Sequence, residues 1–486
     1  MFNLSRIPVI SLVITKNLPV ALFNFTIRID YIGGYVMVNT IIGILMILSF
    51  FYMIWYCVKG HNLMVGFFLM SVLWVAFALI GNAIAPNDAM AGKTIIDILK
   101  NVFQEGPESY GKSILVNIFF GAFFGRVLMD TGIAATLIRK VVELGGDKPR
   151  ITMTLLCIIT AIIFTSMTGI GPVISIAIIV LPILLSLGIP SPVAMFAFMG
   201  SIMAGIFANI VNFTQYDTML VNMKKSYASY TYNDYFPFGI FAMVVALIVV
   251  LIVSNIAVGR KKTYSWAAPA DKNNGKTIEN APAISWISVI LPVLLVILFK
   301  IPIIFAFIIA SLYALATCGK LKGGYASICR MLAKQFSDGA VDVAPMVGFL
   351  LTLSMFNNAA VLAVPYFKTL FGAVIPTSAL TLCVTFAILT PLSFFRGPMN
   401  LVGCGMAVLA LVMSSANWPV QFLYPLFATT TIAPEHIDIT QSWVAWGFGY
   451  TKVKPKDYMK MSIPTGWIVG AILCISIYFL YGGLVH

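Results

Sequence analysis

Charged residues are scarce in this chain. Only 10% of its 486 residues are Asp, Glu, Lys or Arg, and the acidic ones number 17. Its three histidines lie far apart, at positions 61, 436 and 486, so they do not form a metal-binding or catalytic cluster. The seven cysteines include no Cys-x-x-Cys pair and have no histidine at ligand spacing, which argues against a zinc site or a disulfide framework. We therefore expect no metal, no cofactor and no enzyme activity.

Hydrophobic residues dominate instead. They make up 60% of the chain, and the mean hydropathy is +0.97, higher than a water-soluble domain of this length tolerates. Apolar stretches of about 20 residues, the length that crosses a bilayer, recur throughout. Since lipid offers no hydrogen-bond partners, such stretches are helices or barrel strands, and unbroken apolar runs exclude the alternating barrel pattern. The sequence predicts an all-α polytopic membrane protein.

The net charge of +13 is explained by membrane topology. Basic residues lie in short loops between apolar runs rather than on one basic domain, so nucleic acid is not an expected partner. The positive-inside rule places the loops at 139–150, 259–283, 320–334 and 452–460 in the cytoplasm, with Lys224-Lys225 as the exception. We expect a multi-pass protein of a bacterial-type inner (plasma) membrane, surrounded by the lipid bilayer.

The chain matches itself at an offset of 226 residues. Gly171-Pro172 falls on Gly397-Pro398, and Thr214-Gln215 falls on Thr440-Gln441, without any gap between the landmarks. In a chain so rich in Ile, Leu, Ala and Phe, chance is the alternative, but these uncommon pairs match where helices are interrupted or end. We interpret the match as an internal duplication.

The duplication sets the predicted organisation. Residues 35–258 form the first repeat, residues 259–283 a cytoplasmic linker, and residues 284–486 the second repeat. Residues 1–34 are uncertain, being either an extra span or a stretch upstream of a later start at Met37. The distribution of basic loops predicts that the two repeats enter the membrane in opposite senses.

Each repeat contains apolar spans and one interrupted region, 151–188 in the first and 376–416 in the second. Glycine, proline and hydroxyl residues at both interruptions predict re-entrant hairpins, with a continuous pair of crossing helices as the alternative. The polar segment 87–111 is predicted to lie on the membrane surface. The total is about 10–11 transmembrane helices plus two re-entrant hairpins. The predicted spans are 35–57, 63–86, 112–137, 192–215, 236–258, 284–300, 302–318, 341–363, 419–441 and 463–484.

The two interrupted regions form the expected substrate site. A broken helix in a membrane exposes backbone N–H groups, which suit an anion, and carbonyls, which suit a cation. Arg396 is the clearest indication of a binding site, because a guanidinium is costly within a membrane and is able to bind a carboxylate through two hydrogen bonds. The alternative is an arginine whose side chain snorkels to the lipid headgroups. The substrate-binding candidates are Thr165, Ser166, Thr168 and Gly169 in the first tip and Ser393, Arg396, Gly397 and Asn400 in the second.

Polar residues further along each repeat are candidates for ion coupling. Asp438 is an acid where the first repeat has the neutral Asn212, which makes it the best candidate to bind H⁺ or Na⁺. The full set is Asn212, Thr214 and Gln215 in the first repeat and Asp438, Thr440 and Gln441 in the second.

Two further polar pairs lie within apolar spans. Asn357 and Asn358 either bind substrate or hydrogen-bond another helix, and they are included among the substrate-binding candidates. Arg126 and Asp130 stand four residues apart on one helix face and are interpreted as a structural ion pair.

Three motifs carry a family resemblance. The run Phe119-Phe-Gly-Ala-Phe-Phe-Gly-Arg-Val-Leu-Met-Asp-Thr-Gly-Ile133, with Leu144-Gly-Gly-Asp-Lys-Pro149 and Leu181-Pro-Ile-Leu-Leu-Ser-Leu-Gly-Ile189, resembles the ion-transporter superfamily of secondary carriers, chiefly its citrate (CitMHS-type) and gluconate (GntP-type) members. The likeness covers about 95–220 and, through the repeat, 335–445. The chain lacks the acidic residue that citrate carriers tend to have at the hairpin and the Pro-Pro-rich gluconate signature, so the substrate does not follow.

The resemblance implies a scaffold domain (35–111 and 284–340), a transport domain (112–258 and 341–486), a homodimer and elevator-type movement. The expected function is secondary active transport of a small organic anion, a carboxylate first of all, coupled to H⁺ or Na⁺. A cation/proton antiporter of the same architecture is the alternative.

Overall fold

The structure is a computed structural model that describes residues 18–146, 148–259 and 280–485, and in these residues every regular element is a helix. The predicted all-α class is confirmed. The first helix begins at Leu18, so part of the uncertain stretch 1–34 is helical, whereas residues 1–17 lie outside the described residues. Most of the predicted linker, residues 260–279, also lies outside them.

Three helices of the first repeat join into one long helix. π-helical turns at Asn101–Glu105 and Gly111–Leu115 join α3, α4 and α5 without interruption, so one helix, here the first long helix, runs from Ile95 to Asp130. The helices of this repeat are α1 (Leu18–Val58), α2 (Leu63–Ile84), α3 (Ile95–Lys100), α4 (Gly106–Tyr110), α5 (Val116–Asp130), α6 (Ile133–Gly145), α7 (Pro149–Phe164), α8 (Ile170–Ser186), α9 (Ser191–Ile206), α10 (Ile210–Met223) and α11 (Tyr232–Val258).

The second repeat follows the same order. A 3₁₀ segment at Thr390–Arg396 continues α16 into the second tip. The helices are α12 (Leu291–Phe299), α13 (Ile303–Thr317), α14 (Tyr325–Leu362), α15 (Val364–Phe371), α16 (Ala379–Leu389), α17 (Met406–Ser415), α18 (Val420–Glu435), α19 (Ser442–Thr451) and α20 (Pro455–Tyr481). Shifted by the offset found in the sequence, α7 to α11 fall one by one on α16 to α20, which supports the duplication.

The equivalent long helices of the two repeats pack antiparallel. Near the start of the first long helix, Asn358 of α14 donates a hydrogen bond to the Asn101 carbonyl at 2.7 Å. Near its end, Arg126 lies beside Asp338, earlier in α14. At the crossing, a Cβ on Gly339 would lie 3.0 Å from the Ala122 backbone, so this glycine permits close approach. Equivalent helices that run in opposite directions are what oppositely inserted repeats require.

Two predicted spans are broken by local chemistry rather than continuous. The span at 112–137 ends at Asp130, because Gly132 adopts a left-handed φ of 74° and the chain turns by 56° into α6. The span at 192–215 ends at Ile206, because Asn209 caps a new helix that leaves at 59°. Broken helices place backbone polar groups inside the bundle, where other groups must satisfy them.

Other predicted boundaries also needed correction. The surface segment 320–334 and the span 341–363 belong to one helix, α14, which the pattern divided because Lys334 and Asp338 interrupt its apolar run. Within the segment 87–111, the helix that begins at Ile95 is likewise continuous with the following span rather than a separate surface helix. The span 284–300 consists of a 3₁₀ segment, Ala283–Val289, followed by α12.

By length and composition, six helices of the described chain are able to cross a membrane, or up to eight if each bent pair counts as one span. This number is below the predicted 10–11, because several broken segments are too short to qualify individually. Two contacts agree with the grouping of loops that the charge pattern predicts. Arg150 donates to the Gly259 carbonyl, which joins two of the predicted cytoplasmic loops, and Asn222 donates to Ser109 at the other end of the bundle.

Candidate functional site

A cavity of about 350 Å³ lies between the two repeats. It brings together Thr168 of the first tip and Arg396 of the second tip, which are far apart in the sequence. Side chains from α10 and α14 form further parts of its wall, and Asn62 in the α1–α2 loop lines its outer end. The polar or charged side chains that line it are Asn62, Thr168, Asn212, Gln215, Arg396, Glu435, His436, Gln441 and Ser442.

Arg396 is buried within the bundle, with 3% of its surface exposed, so the snorkelling alternative is wrong. Phe395 and Arg396 both have positive φ angles, 58° and 61°, an uncommon backbone that turns the arginine into the cavity. Its guanidinium carbon lies 5.3 Å from the centroid of the Phe349 ring on α14. This aromatic face favours the cation in its buried position.

Glu435, at the end of α18, is the partner of Arg396. Its Oε1 lies 2.7 Å from Arg396 Nη1, and Arg396 Nη2 donates to Gln441 Oε1 at 3.3 Å. Gln441 Nε2 also donates to Glu435 Oε1, which closes a small buried network. Within the described chain, Arg396 Nε and Glu435 Oε2 have no hydrogen-bond partner. The network therefore leaves one donor and one acceptor without a partner in the part of the chain that the structure describes.

Asp438 holds the second tip in place. One carboxylate oxygen accepts the Phe395 N–H, and the other accepts the Thr440 N–H at 2.9 Å. Asp438 is buried, is not among the residues that line the cavity, and uses both oxygens for backbone groups. The hydroxyl of Thr440 has no partner among the described residues. The predicted role of Asp438 in ion binding stays a prediction. Its hydrogen bond to the Phe395 N–H positions the residue that precedes Arg396.

The rest of the second tip is a tight, fully buried turn. Asn400 Oδ1 accepts the Val402 N–H at 2.8 Å, and its Nδ2 donates to the Ser393 carbonyl at 3.4 Å. The Ser393 hydroxyl has no partner in the described structure. A Cβ at Gly397 would collide with the Leu392 carbonyl oxygen, so this position requires glycine. These predicted binding residues lie next to Arg396 but shape the tip rather than line the cavity.

The first tip contributes one side chain to the cavity, that of Thr168. Thr165 donates its hydroxyl back to the Ile162 carbonyl at 2.8 Å, and Ser166 is buried with a hydroxyl that has no partner among the described residues. Gly169 begins α8 with a φ of 96°, and a Cβ there would lie 2.9 Å from Val343 Cγ1 on α14. The sequence therefore located the tip correctly, although most of its polar side chains point elsewhere.

Asn209 fastens the first tip to the break between α9 and α10. Its Nδ2 donates to the carbonyls of Phe164 and Met167, both at 2.9 Å. Its Oδ1 accepts the N–H groups of Val211 and Asn212. One buried amide thus satisfies the backbone at two breaks. At the repeat offset this position corresponds to Glu435, so the two repeats use the same place for different purposes.

We expect Asn209→Ala to destabilise the protein by about 2–4 kcal/mol, because it removes a helix cap and leaves two buried carbonyls without a donor. The melting temperature in detergent measures this loss. Asn255→Ala is the matched control, since the bond that Asn255 donates within the described residues goes to the Leu251 carbonyl of its own helix. Equal melting temperatures for the two variants would contradict the role of Asn209.

The predicted coupling residues of the first repeat divide into two groups. Asn212 and Gln215 line the cavity, and Asn212 Oδ1 has no partner among the described residues. Asn212 Nδ2 donates weakly to the Tyr216 hydroxyl at 3.4 Å. Thr214 instead donates its hydroxyl to the Ile210 carbonyl within α10 and is not among the cavity residues.

Asn357 and Asn358 do not line the cavity of Arg396, and their predicted role in substrate binding stays a prediction. They line a larger cavity of about 730 Å³ near the 87–111 segment. Asn358 is committed to the first long helix by its bond to Asn101. The two cavities have Leu350 in common, which places this leucine between them. Sequence spacing alone does not reveal which side of such a barrier an asparagine faces.

Arg126 is surrounded by acids. It lies 3.3 Å from Asp130, as predicted, and also 3.4 Å from Asp338 and 3.8 Å from Asp342 on α14. All four side chains are partly exposed. The cluster joins the two long helices, and the two additional aspartates were missed because their pairing depends on the antiparallel packing.

The stretch Gly106–Ser113 matches the Gly-x-x-x-x-Gly-Lys-Ser spacing of nucleotide-binding phosphate loops. In such loops a glycine-rich turn between a strand and a helix presents free N–H groups to phosphates. Here the stretch lies inside the first long helix, between π-helical turns. Its backbone is used for helical hydrogen bonds, so the match does not form a phosphate loop.

Comparisons with known proteins agree with this architecture. In structure, the chain is similar to the Alcanivorax borkumensis YdaH transporter, whose crystal structure is described as having an unusual topology: the TM-score is 0.58 at 11% identity, covering 86% of this chain and 99% of that one. At this identity the likeness concerns the fold alone. No curated protein sequence gives a significant match. The family model described as the citrate transporter, CitMHS, matches residues 62–329, more than half of the chain. The predicted resemblance is confirmed, and the chain belongs to the CitMHS citrate transporter family.

Proposed function

We propose that this protein is a secondary active transporter that moves a small organic anion, with citrate as the first candidate, by coupling it to H⁺ or Na⁺. Membership of the family makes the chain a membrane carrier for citrate-like substrates. The observation that supports the finer proposal is the buried Arg396, which faces a polar cavity where the tips of both repeats meet. A guanidinium in this setting suits a carboxylate better than any neutral or cationic solute.

The charge of the cavity supports cation coupling. Of the described residues that line it, Arg396 is the one Lys or Arg side chain, and Glu435 already neutralises it. A di- or tricarboxylate therefore brings more negative charge than the wall can balance. Buried charge of this kind is costly unless it is paired. A cation that travels with the anion supplies the balance.

The two cavities suggest which side the site faces. The cavity of Arg396 reaches Asn62 in the α1–α2 loop, and the other cavity reaches Asp88 at the opposite end of α2. Leu350 lines both and stands between them. With the orientation given by the positive-inside rule, the α1–α2 loop is cytoplasmic. We assign the structure to an inward-facing state in the inner (plasma) membrane.

The proposed re-entrant hairpins have one geometric support, and the elevator movement remains part of the proposal. Gly169 and Gly171 in and beside the first tip contact α14 at Val343 and Asp342, near the middle of this long helix and close to where it crosses its antiparallel counterpart. This position supports a tip that ends inside the bundle, as a re-entrant hairpin requires. The division into scaffold and transport parts, and the homodimer, remain parts of the proposal.

Reconstitution tests the proposed function. The purified protein in liposomes is screened with labelled mono-, di- and tricarboxylates under imposed proton or sodium gradients, with empty liposomes as control. We expect citrate or a related carboxylate to accumulate when one of these gradients is directed inward and to stop when it is collapsed. Proton flux driven by a cation gradient, without any organic solute, would instead favour a cation/proton antiporter and would contradict the anion site.

A further inference from the structure

Glu435 is already paired with Arg396, the cation that an incoming anion needs. Its Oε1 lies 2.7 Å from Arg396 Nη1 and also accepts a bond from Gln441 at 3.3 Å. Both charged residues are more than nine-tenths buried. A substrate carboxylate therefore reaches this guanidinium only in competition with a carboxylate that the protein already holds there.

Binding a second carboxylate beside Glu435 has an electrostatic cost. Two carboxylates around one guanidinium leave a net negative charge in a place of low dielectric, which is strongly unfavourable. Neutrality returns when Glu435 binds a proton. Its Oε2 is buried and has no hydrogen-bond partner in the described part of the chain, so a proton can be added there without breaking an existing bond.

The other titratable groups near this pair are less suited to take the proton. Asp438, in the same break, uses both oxygens to accept backbone N–H groups and does not line the cavity, so an anion bound to Arg396 does not take its partners away. Tyr216 of α10 and Cys57 of α1 also interact electrostatically with the pair, but such groups ordinarily stay neutral near pH 7. His436 interacts with Glu435 as well, and its Nδ1 is engaged with the Ile432 carbonyl. Glu435 is the group that loses its partner, Arg396, when the anion binds.

We infer that Glu435 is an internal counterion that exchanges its pairing with Arg396 for a proton whenever the anion binds. In the empty carrier the ion pair is neutral and crosses between the two states at low electrostatic cost. In the loaded carrier the anion pairs with Arg396 and Glu435 is protonated, so one proton moves with each carboxylate bound there and leaves with it on the other side. This inference rests on the proposed function and adds to it the residue that couples the ion.

The Glu435→Gln variant separates the two halves of the cycle. Glutamine mimics the protonated, loaded form, so exchange of external labelled citrate for internal unlabelled citrate is expected to stay within about threefold of wild type. Net uptake driven by a proton gradient is expected to fall by roughly a hundredfold or more, because the empty carrier then has to move an uncompensated guanidinium. Glu143→Gln is the control for net uptake, since Glu143 is exposed and pairs with Lys140 on the surface.

Proton uptake on binding gives a second readout that does not need transport. In detergent at low buffer strength, citrate binding to wild type is expected to take up about one proton, seen with a pH indicator dye, and binding to Glu435→Gln to take up none. Net uptake that persists in this variant, or exchange lost together with net uptake in a variant that still binds citrate, would overturn the inference. Proton uptake abolished by His436→Gln but kept by Glu435→Gln would also overturn it. Wild-type liposomes without any anion flux would instead count against the proposed function.

Discussion

Replacing Arg396 by alanine is expected to reduce anion uptake by about a hundredfold or more, equivalent to about 3 kcal/mol of lost binding. The arginine is the cavity's cation, and its charge-assisted bonds to a carboxylate have no substitute among the described lining residues. Uptake of labelled citrate into liposomes, normalised to the amount of inserted protein, measures the effect. Arg396→Lys is expected to restore part of the uptake, since it keeps the charge but not the forked geometry.

Loss of folding has to be separated from loss of binding in this variant. Arg396→Ala leaves Glu435 buried without its partner, which costs about 3–5 kcal/mol of stability. The double variant Arg396→Gln with Glu435→Gln is neutral and similar in volume, so we expect it to regain most of the melting temperature but no uptake. Anion uptake at the wild-type rate in either variant would remove Arg396 from the substrate site.

The interruptions of the apolar pattern were enough to find the centre of this molecule. Gly-Pro pairs at matching positions of two repeats predicted two breaks, and the structure brings Thr168 and Arg396 from these breaks into one cavity. A charged residue within an apolar run has a high cost, so its presence carries information that a single sequence reveals. The class of the fold followed from composition in the same way.

The errors have a common physical origin. Whether an apolar run continues as one helix depends on a few local groups, and Gly132 and Asn209 broke two runs that hydropathy treated as continuous. Pairing between distant residues was also invisible. Glu435 reaches Arg396, and Asp338 reaches Arg126, only because of how the helices cross. The run Thr429–Thr431 in α18 was a usable signal, since Thr431 accepts the Leu401 N–H of the tip.

The two repeats have the same order of helices but place different side chains at equivalent positions near the cavity. At the end of its ninth helix the first repeat has Asn209, which satisfies the backbone of its own tip, and Asn212 follows it in the cavity wall. The second repeat has Glu435 and Asp438 at the same places. Asn212 and Gln215 give the cavity an uncharged polar wall, and the ion pair of Arg396 and Glu435 gives it a charged wall. Such asymmetry lets an anion bind in a defined orientation.

The Gly397→Ala variant is expected to lose both stability and uptake. A Cβ at this position would collide with the Leu392 carbonyl oxygen and would lie 3.0 Å from the Phe394 carbonyl oxygen, and both groups belong to the backbone of the same turn. Relief requires the tip to open, which costs about 1–3 kcal/mol or more and moves the neighbouring Arg396 away from the cavity. Melting temperature and citrate uptake measure the two effects.

Gly449→Ala is the matched control, because Gly449 lies in α19 with nothing within 4 Å of the added Cβ. Alanine in an exposed helix interior raises stability by up to about 1 kcal/mol relative to glycine, so this variant is expected to melt at or above the wild-type temperature. A Gly397→Ala protein that melts and transports like Gly449→Ala would show that the tight turn is not needed to aim Arg396 at the anion.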